Sequence, residues 1–150
     1  MHYLFKGQES CTANRAPFPG LKGLFVLPEL PIIAIVDDDA SVRTATQSLV
    51  RSLGFTACTF ADAEEFLRFP RMSEASCLIA DVQMPGMSGV DLQRVLCAEG
   101  RDTPIIFITA FYDEAIRARA MKAGAVSFLS KPVNCQTLVE CLNKALNRRR

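Results

Sequence analysis

The sequence has a single histidine, His2, and no two cysteines at C-x-x-C spacing. The first scarcity excludes a histidine-rich metal centre, the second a zinc or thioredoxin-like redox site of that pattern. Its cysteines, at Cys11, Cys58, Cys77, Cys97, Cys135 and Cys141, read instead as small buried or half-buried hydrophobes in a reducing cytosol. Charge of one sign is also missing. The 17 basic and 16 acidic residues leave a net +1, so no broad field draws in nucleic acid or anionic membrane. Only Arg148-Arg149-Arg150 is locally basic, and it reads as a solvated end. The start, up to Ser10, lacks the apolar core of a secretory signal. The apolar stretch from Leu24 to Val36 is interrupted by Pro28, Glu29 and Pro31 and is too short to span a bilayer. The expectation is a cytoplasmic chain with no membrane partner and no direct nucleic-acid binding.

What is present suits one globular domain. The 150 residues are 49% hydrophobic and 22% charged, enough to bury a real core. Residues 1–30 carry Pro17, Pro19, Pro28 and three glycines without a clean period, and read as a flexible extension. From Pro31 the pattern changes. Ile32 to Val36, Cys77 to Ala80 and Pro104 to Ile108 are continuous apolar runs, as expected of strands buried on both faces. Phe55 to Phe60 and Ala125 to Leu129 are strand-like as well. Helical stripes alternate with them: Val42, Ala45, Leu49, Val50 and Leu53; Phe66 and Leu67; Leu92, Val95 and Leu96; Ile116, Ala120 and Ala123; Leu138, Leu142, Ala145 and Leu146. Asp62 with Glu65, and Ser88 with Asp91, have capping-box spacing, and Asn134 suits an N-cap. Five strands alternating with five helices predict an α/β fold, a doubly wound five-stranded parallel sheet over residues 31–147.

Ligands of such sheets bind outside the carboxyl ends of the strands. The strand-final residues are Asp37 and Asp38, Asp81, Thr109 and Lys131. Singly, each has an ordinary explanation: helix-start or turn carboxylates, a β-branched strand residue, a surface lysine. Jointly, they bring three carboxylates, a hydroxyl and an ammonium to one edge. Three close carboxylates repel, so a proton or a cation must compensate them, and an all-oxygen donor set suits Mg²⁺. A carboxylate beside Mg²⁺ can attack a phosphoryl group and form an aspartyl phosphate, with the hydroxyl and ammonium holding the phosphoryl oxygens.

These segments resemble the receiver domain of two-component response regulators. The residues that carry the likeness are Ile35-Val36-Asp37-Asp38-Asp39, Asp81 to Gly89, Ile108-Thr109-Ala110 and Phe128-Leu129-Ser130-Lys131-Pro132. Met87-Ser88-Gly89 and Ala123-Gly124-Ala125 look most like FixJ-type regulators. The resemblance implies a CheY-like fold with Asp81 as phosphoacceptor. It implies that Asp37, Asp38, Asp81 and the Gln83 backbone carbonyl hold Mg²⁺, that Thr109 and Lys131 contact the phosphoryl group, and that Phe128 is an aromatic switch residue. It further implies a cis Lys131-Pro132 bond, a sensor histidine kinase as donor, and signalling through the fourth-helix, fifth-strand, fifth-helix face to an output domain or partner protein. A homodimer on phosphorylation is admitted. FixJ-type relatives carry a helix-turn-helix output, so this is either a single-domain regulator or the regulatory part of such a protein. It is read as a switch, not an enzyme. Two alternatives stay open: a Mg²⁺-dependent phosphohydrolase, disfavoured by Gln83 where an acid would stand, and a phosphorylation-independent interaction domain. Phe111, bulky and apolar, is expected to restrict a hydrolytic water.

Overall fold

The computed structural model describes residues 30–148. The expectations for the N-terminal extension, including His2 and Cys11, and for Arg149 and Arg150 fall outside the described residues.

Five parallel strands form one sheet: β1 (Ile32–Val36), β2 (Thr56–Phe60), β3 (Ala75–Asp81), β4 (Ile105–Thr109) and β5 (Ser127–Ser130), in the order β2-β1-β3-β4-β5. The helices are α1 (Ala40–Ser52), α2 (Ala63–Leu67), α3 (Gly89–Ala98), α4 (Glu114–Lys122) and α5 (Cys135–Arg148), with a single 3₁₀ turn at Met72–Glu74. The doubly wound sheet is therefore as expected. Side chains alternate along each strand, so each apolar run feeds two cores. Ala34, Val36, Leu78 and Phe107 face the α2, α3 and α4 side with Phe66, Leu92 and Ala120. Ile33, Ile35, Ile79 and Ile106 face the α1 and α5 side with Val50, Leu138 and Leu142. Among the described residues, no helix is long and apolar enough to cross a membrane.

Helix starts follow local chemistry. Asp39 caps α1 by accepting from Ser41 N and Val42 N at 2.9 and 3.3 Å. Ser88 and Asp91 form a reciprocal capping box on α3. Asp113 caps α4, and Asn134 accepts from Gln136 N and Thr137 N at the start of α5. Asp62 accepts from Glu65 N at 2.8 Å, while the Glu65 carboxylate accepts from Ala61 N. Such a side-chain cap satisfies N–H groups that the first turn leaves without partners. Asp39→Ala is accordingly expected to lower the stability of the domain by about 1 kcal/mol, seen as a lower urea midpoint at unchanged slope.

Three inward expectations are corrected. Ala45, Leu53 and Ala123 are exposed. On α1 the half-buried stripe runs through Val42, Thr46 and Leu49 to buried Val50, which moves Ala45 off the seam. Leu53 and Ala123 are the C-cap residues of α1 and α4, where the chain has already turned away from the core. In compensation α3 turns a polar residue inward: Gln93 is buried and its Nε2 donates to Ala120 O on α4 at 3.0 Å. The cysteines also divide. Cys77 and Cys141 are buried free thiols, with burial, reinforced by Cys141, pushing Cys77 up to about 12. Contrary to the expectation of small buried or half-buried thiols, Cys97 and Cys135 are exposed free thiols, and Cys58 is buried but disulfide-bonded.

Candidate functional site

The sheet reverses its winding between β1 and β3, the place where an open α/β sheet leaves a crevice at its carboxyl edge. The register pairs Val36 with Ala80, so Asp37 and Asp81 emerge side by side. On the other flank, Asp81 pairs with Ile108 and Thr109 with Ser130, which puts Thr109 and Lys131 at the same edge. Asp37, Asp38, Asp81, Thr109 and Lys131 thus end neighbouring parallel strands, as expected.

The carboxylates are close. One oxygen from each of Asp37, Asp38 and Asp81 lies within 4.8 Å of the others. Asp37 and Asp81 are buried and Asp38 is exposed. Lys131 Nζ donates to Asp81 Oδ2 at 3.2 Å and pairs with Asp37 Oδ2 at 2.9 Å. Apart from this ion pair, the buried Asp37 Oδ2 has no hydrogen-bond partner. A buried carboxylate oxygen held by a single ion pair, beside two further carboxylates, fits a hard cation. Asp37 Oδ1 accepts from Asp39 N at 2.9 Å, and Gln83 N donates to Asp81 Oδ1 at 3.2 Å. The Gln83 side chain is exposed, leaving its backbone as its link to the site.

Charge crowding shows in the ionisation. Burial, then the Asp37 charge, push Asp81 from 3.8 up to about 6, against the pull of Lys131. Burial also pushes Lys131 down, but the Asp37 and Asp81 carboxylates outweigh it and raise its pKa above the usual lysine value. One ammonium partly neutralises two buried carboxylates, so the cluster keeps a negative excess that a cation or a proton would relieve.

Thr109 is buried. Its Oγ1 donates to Phe111 O and accepts from Phe111 N, both at 3.1 Å, while its carbonyl accepts from Lys131 N at 2.8 Å. Phe128 is buried in the core, with ring centroids 6.0 Å from Phe107 and 5.7 Å from Tyr112, the latter edge-on. The Lys131-Pro132 bond is cis. Phe111 is 72% exposed, so in this conformation its ring is turned to solvent rather than packed down as a cover. A cleft of about 520 Å³ between α3 and α4 shares Gln83 with the site but is lined by none of Asp37, Asp38 and Asp81. Sequence reasoning passed over Arg43, whose Nη1 donates to Asp37 O at 2.7 Å. It also saw Gly89 only as a family-like detail. An added Cβ at Gly89 would stand 2.3 Å from the Asp81 carbonyl oxygen.

Comparison with known proteins points the same way. The family described as "Response regulator receiver domain" matches residues 33–143. Response regulator protein TodT of Pseudomonas putida is 44% identical over 115 residues, covering 77% of this chain and 51% of TodT. Transcriptional regulatory protein FixJ of Bradyrhizobium diazoefficiens is 36% identical over 117 residues, covering 77% of this chain and 57% of FixJ. This chain therefore spans about half the length of these curated relatives. Among solved structures, response regulator StyR superposes with a TM-score of 0.74 at 45% identity, covering 79% of this chain and 60% of that one. The structure titled FixJ-N gives 0.72 at 35% identity, covering 80% and 96%. With its CheY-like sheet and its matched span, the chain belongs to the response regulator receiver domain family.

Proposed function

We propose that Asp81 is the phosphoacceptor of this receiver domain, taking a phosphoryl group from a sensor histidine kinase. The observation that carries this is the setting of Asp81: a buried carboxylate grouped with those of Asp37 and Asp38, with the Lys131 ammonium against both Asp81 and Asp37. A carboxylate oxygen of Asp81 attacks phosphorus. A P–O bond forms as the P–N bond to the kinase histidine breaks, and the imidazole leaves with the bonding pair and takes a proton. Lys131 offsets the negative charge that gathers at the phosphoryl oxygens, and the Thr109 hydroxyl bonds one of them after giving up its bond to Phe111 O. Asp37, Asp38, Asp81 and the Gln83 carbonyl would hold Mg²⁺, which when bound supplies positive charge to the transferring phosphoryl group. Phe128 is the switch residue through which Thr109 acts on α4, β5 and α5, the face read by an output domain, a partner protein or a second copy. Residues 31–147 form the receiver unit, preceded by an extension of unassigned role. The protein works in the cytoplasm and is a switch rather than an enzyme.

A phosphohydrolase of the haloacid-dehalogenase type needs an acid two residues after the nucleophile. Gln83 stands there, and the family match speaks for the receiver.

Intact mass after incubation with acetyl phosphate and Mg²⁺ tests the reading. One added phosphate is expected, and none when the metal is chelated. Absence of the adduct at every metal concentration would overturn it and favour a phosphorylation-independent interaction domain.

A further inference from the structure

Glu64 sits on α2, outside the carboxylate cluster, yet its side chain serves another element. Glu64 Oε1 accepts from Met87 N at 3.3 Å, across 23 residues of sequence. A Cβ built on Gly86 would meet the same oxygen at 3.3 Å, and Gly86 holds φ +77°, a left-handed turn that disfavours side chains. The loop between β3 and α3 therefore bends its tightest point against this carboxylate. The other ties of N–H groups in and next to the loop run to β3, α3, β4 or within the loop itself. Val82 N donates to Ile108 O, Gln83 N to Asp81 Oδ1, Ser88 N to Asp91 Oδ2 and Gly89 N to Val82 O. Nor does α2 use the Glu64 side chain for its own start, which Asp62 and Glu65 cap.

We infer that Glu64 is a positioning residue for the cation site. It holds the β3–α3 loop through Met87 N, next to the turn at Gly86, and so sets the backbone of Gln83 beside Asp81. It touches neither metal nor phosphoryl group. This rests on the reading of Asp81 and Gln83 given above. Outer partners of metal ligands set ligand orientation, and losing one costs about 10–100-fold in affinity. Glu64 acts one step further out, so a smaller loss is expected.

The test is a calorimetric Mg²⁺ titration of the full chain, with no phosphodonor present. Glu64→Ala is expected to weaken Mg²⁺ binding roughly three- to tenfold, below the range for direct outer partners. Glu64→Gln keeps an acceptor oxygen at the same reach and should stay within about twofold of the parent. Glu64→Asp keeps the charge but withdraws it by one methylene and should resemble Glu64→Ala. With acetyl phosphate, the Mg²⁺ concentration for half-maximal rate should rise in Glu64→Ala, while the rate at saturating Mg²⁺ stays that of the parent. A purely structural role would give no such split. Unchanged Mg²⁺ affinity in Glu64→Ala would overturn the inference, as would equal loss in Glu64→Gln and Glu64→Ala. Should Glu64→Ala fail to fold, the contrast between Glu64→Asp and Glu64→Gln decides. A parent protein that takes no phosphate indicts the phosphoacceptor reading instead, whatever the Glu64 variants do.

Discussion

Asp81→Asn is expected to abolish the phosphate adduct and, with the metal removed, to leave the domain more stable than its parent at pH 7. The first effect follows from losing the attacking oxygen's charge. The second follows from linkage. Burial and the Asp37 charge raise Asp81 to about 6 in the folded chain, above its ordinary 3.8. The folded state therefore binds the Asp81 proton more tightly than the unfolded state does. Between these values stability falls as pH rises, and above about pH 6 the charged side chain weighs on the fold in full. A shift of this size corresponds to about 1.4 kcal/mol per pKa unit. Asp38 and Gln83 beside it are exposed, so screening reduces the gain to ~1–2 kcal/mol. Urea melts in chelator at pH 7 and pH 4 check this. The advantage of Asp81→Asn should be present at the higher pH and nearly gone at the lower. An Asp81→Asn protein less stable than its parent at pH 7 would mean that the Lys131 pair outweighs burial and the Asp37 repulsion.

Gly89→Ala is the second large effect. Gly89 opens α3 directly beneath the end of β3, and its N donates to Val82 O at 3.0 Å. A Cβ there would lie 2.3 Å from Asp81 O, 3.1 Å from Asp81 C and 3.2 Å from Phe107 Cε1. Neither backbone nor buried ring can give way cheaply in a close-packed interior. The expected loss is about 1–3 kcal/mol from overpacking, with a displaced Asp81 as the chain relaxes. Phosphorylation by acetyl phosphate should fall sharply even at temperatures where Gly89→Ala is fully folded. A folded Gly89→Ala protein that is phosphorylated at the parental rate would show that α3 can shift without moving Asp81.

How much of this was legible in the sequence depends on distance along the chain. Apolar runs such as Ile32 to Val36 revealed strands because burial on both faces leaves no polar position. The candidate site was legible for a related reason: parallel strands bring their last residues to one edge, so Asp37, Asp81, Thr109 and Lys131 gathered without any knowledge of side-chain contacts. Caps were visible because Asp62, Ser88 and Asn134 act within three residues of themselves. What stayed hidden depends on approach between distant segments. Glu64 meets Met87 across 23 positions, Gln93 meets Ala120 across 27, and Gly89 is constrained by the backbone of Asp81. Nothing in the local pattern marks a glutamine for burial. Ala45 and Ala123 were misplaced because alanine fits an apolar stripe or a solvated face about equally well.

The way α4 is fastened has a mechanical consequence. Ala120 is its one buried residue, and the Gln93 amide grips the carbonyl of that same residue in the last turn. Toward its first turn the helix has half-buried Ile116 and exposed Glu114 and Ala115. Anchorage is thus concentrated at one end, and the loosely held end is the one that follows Thr109. A lever pinned at its far end swings through its widest arc at the near one. Little apolar surface would be wetted by such a tilt, since near that end it is the half-buried Ile116 that packs on the core. A small displacement at the sheet edge would be amplified across the outer surface of the helix while the core beneath keeps its packing.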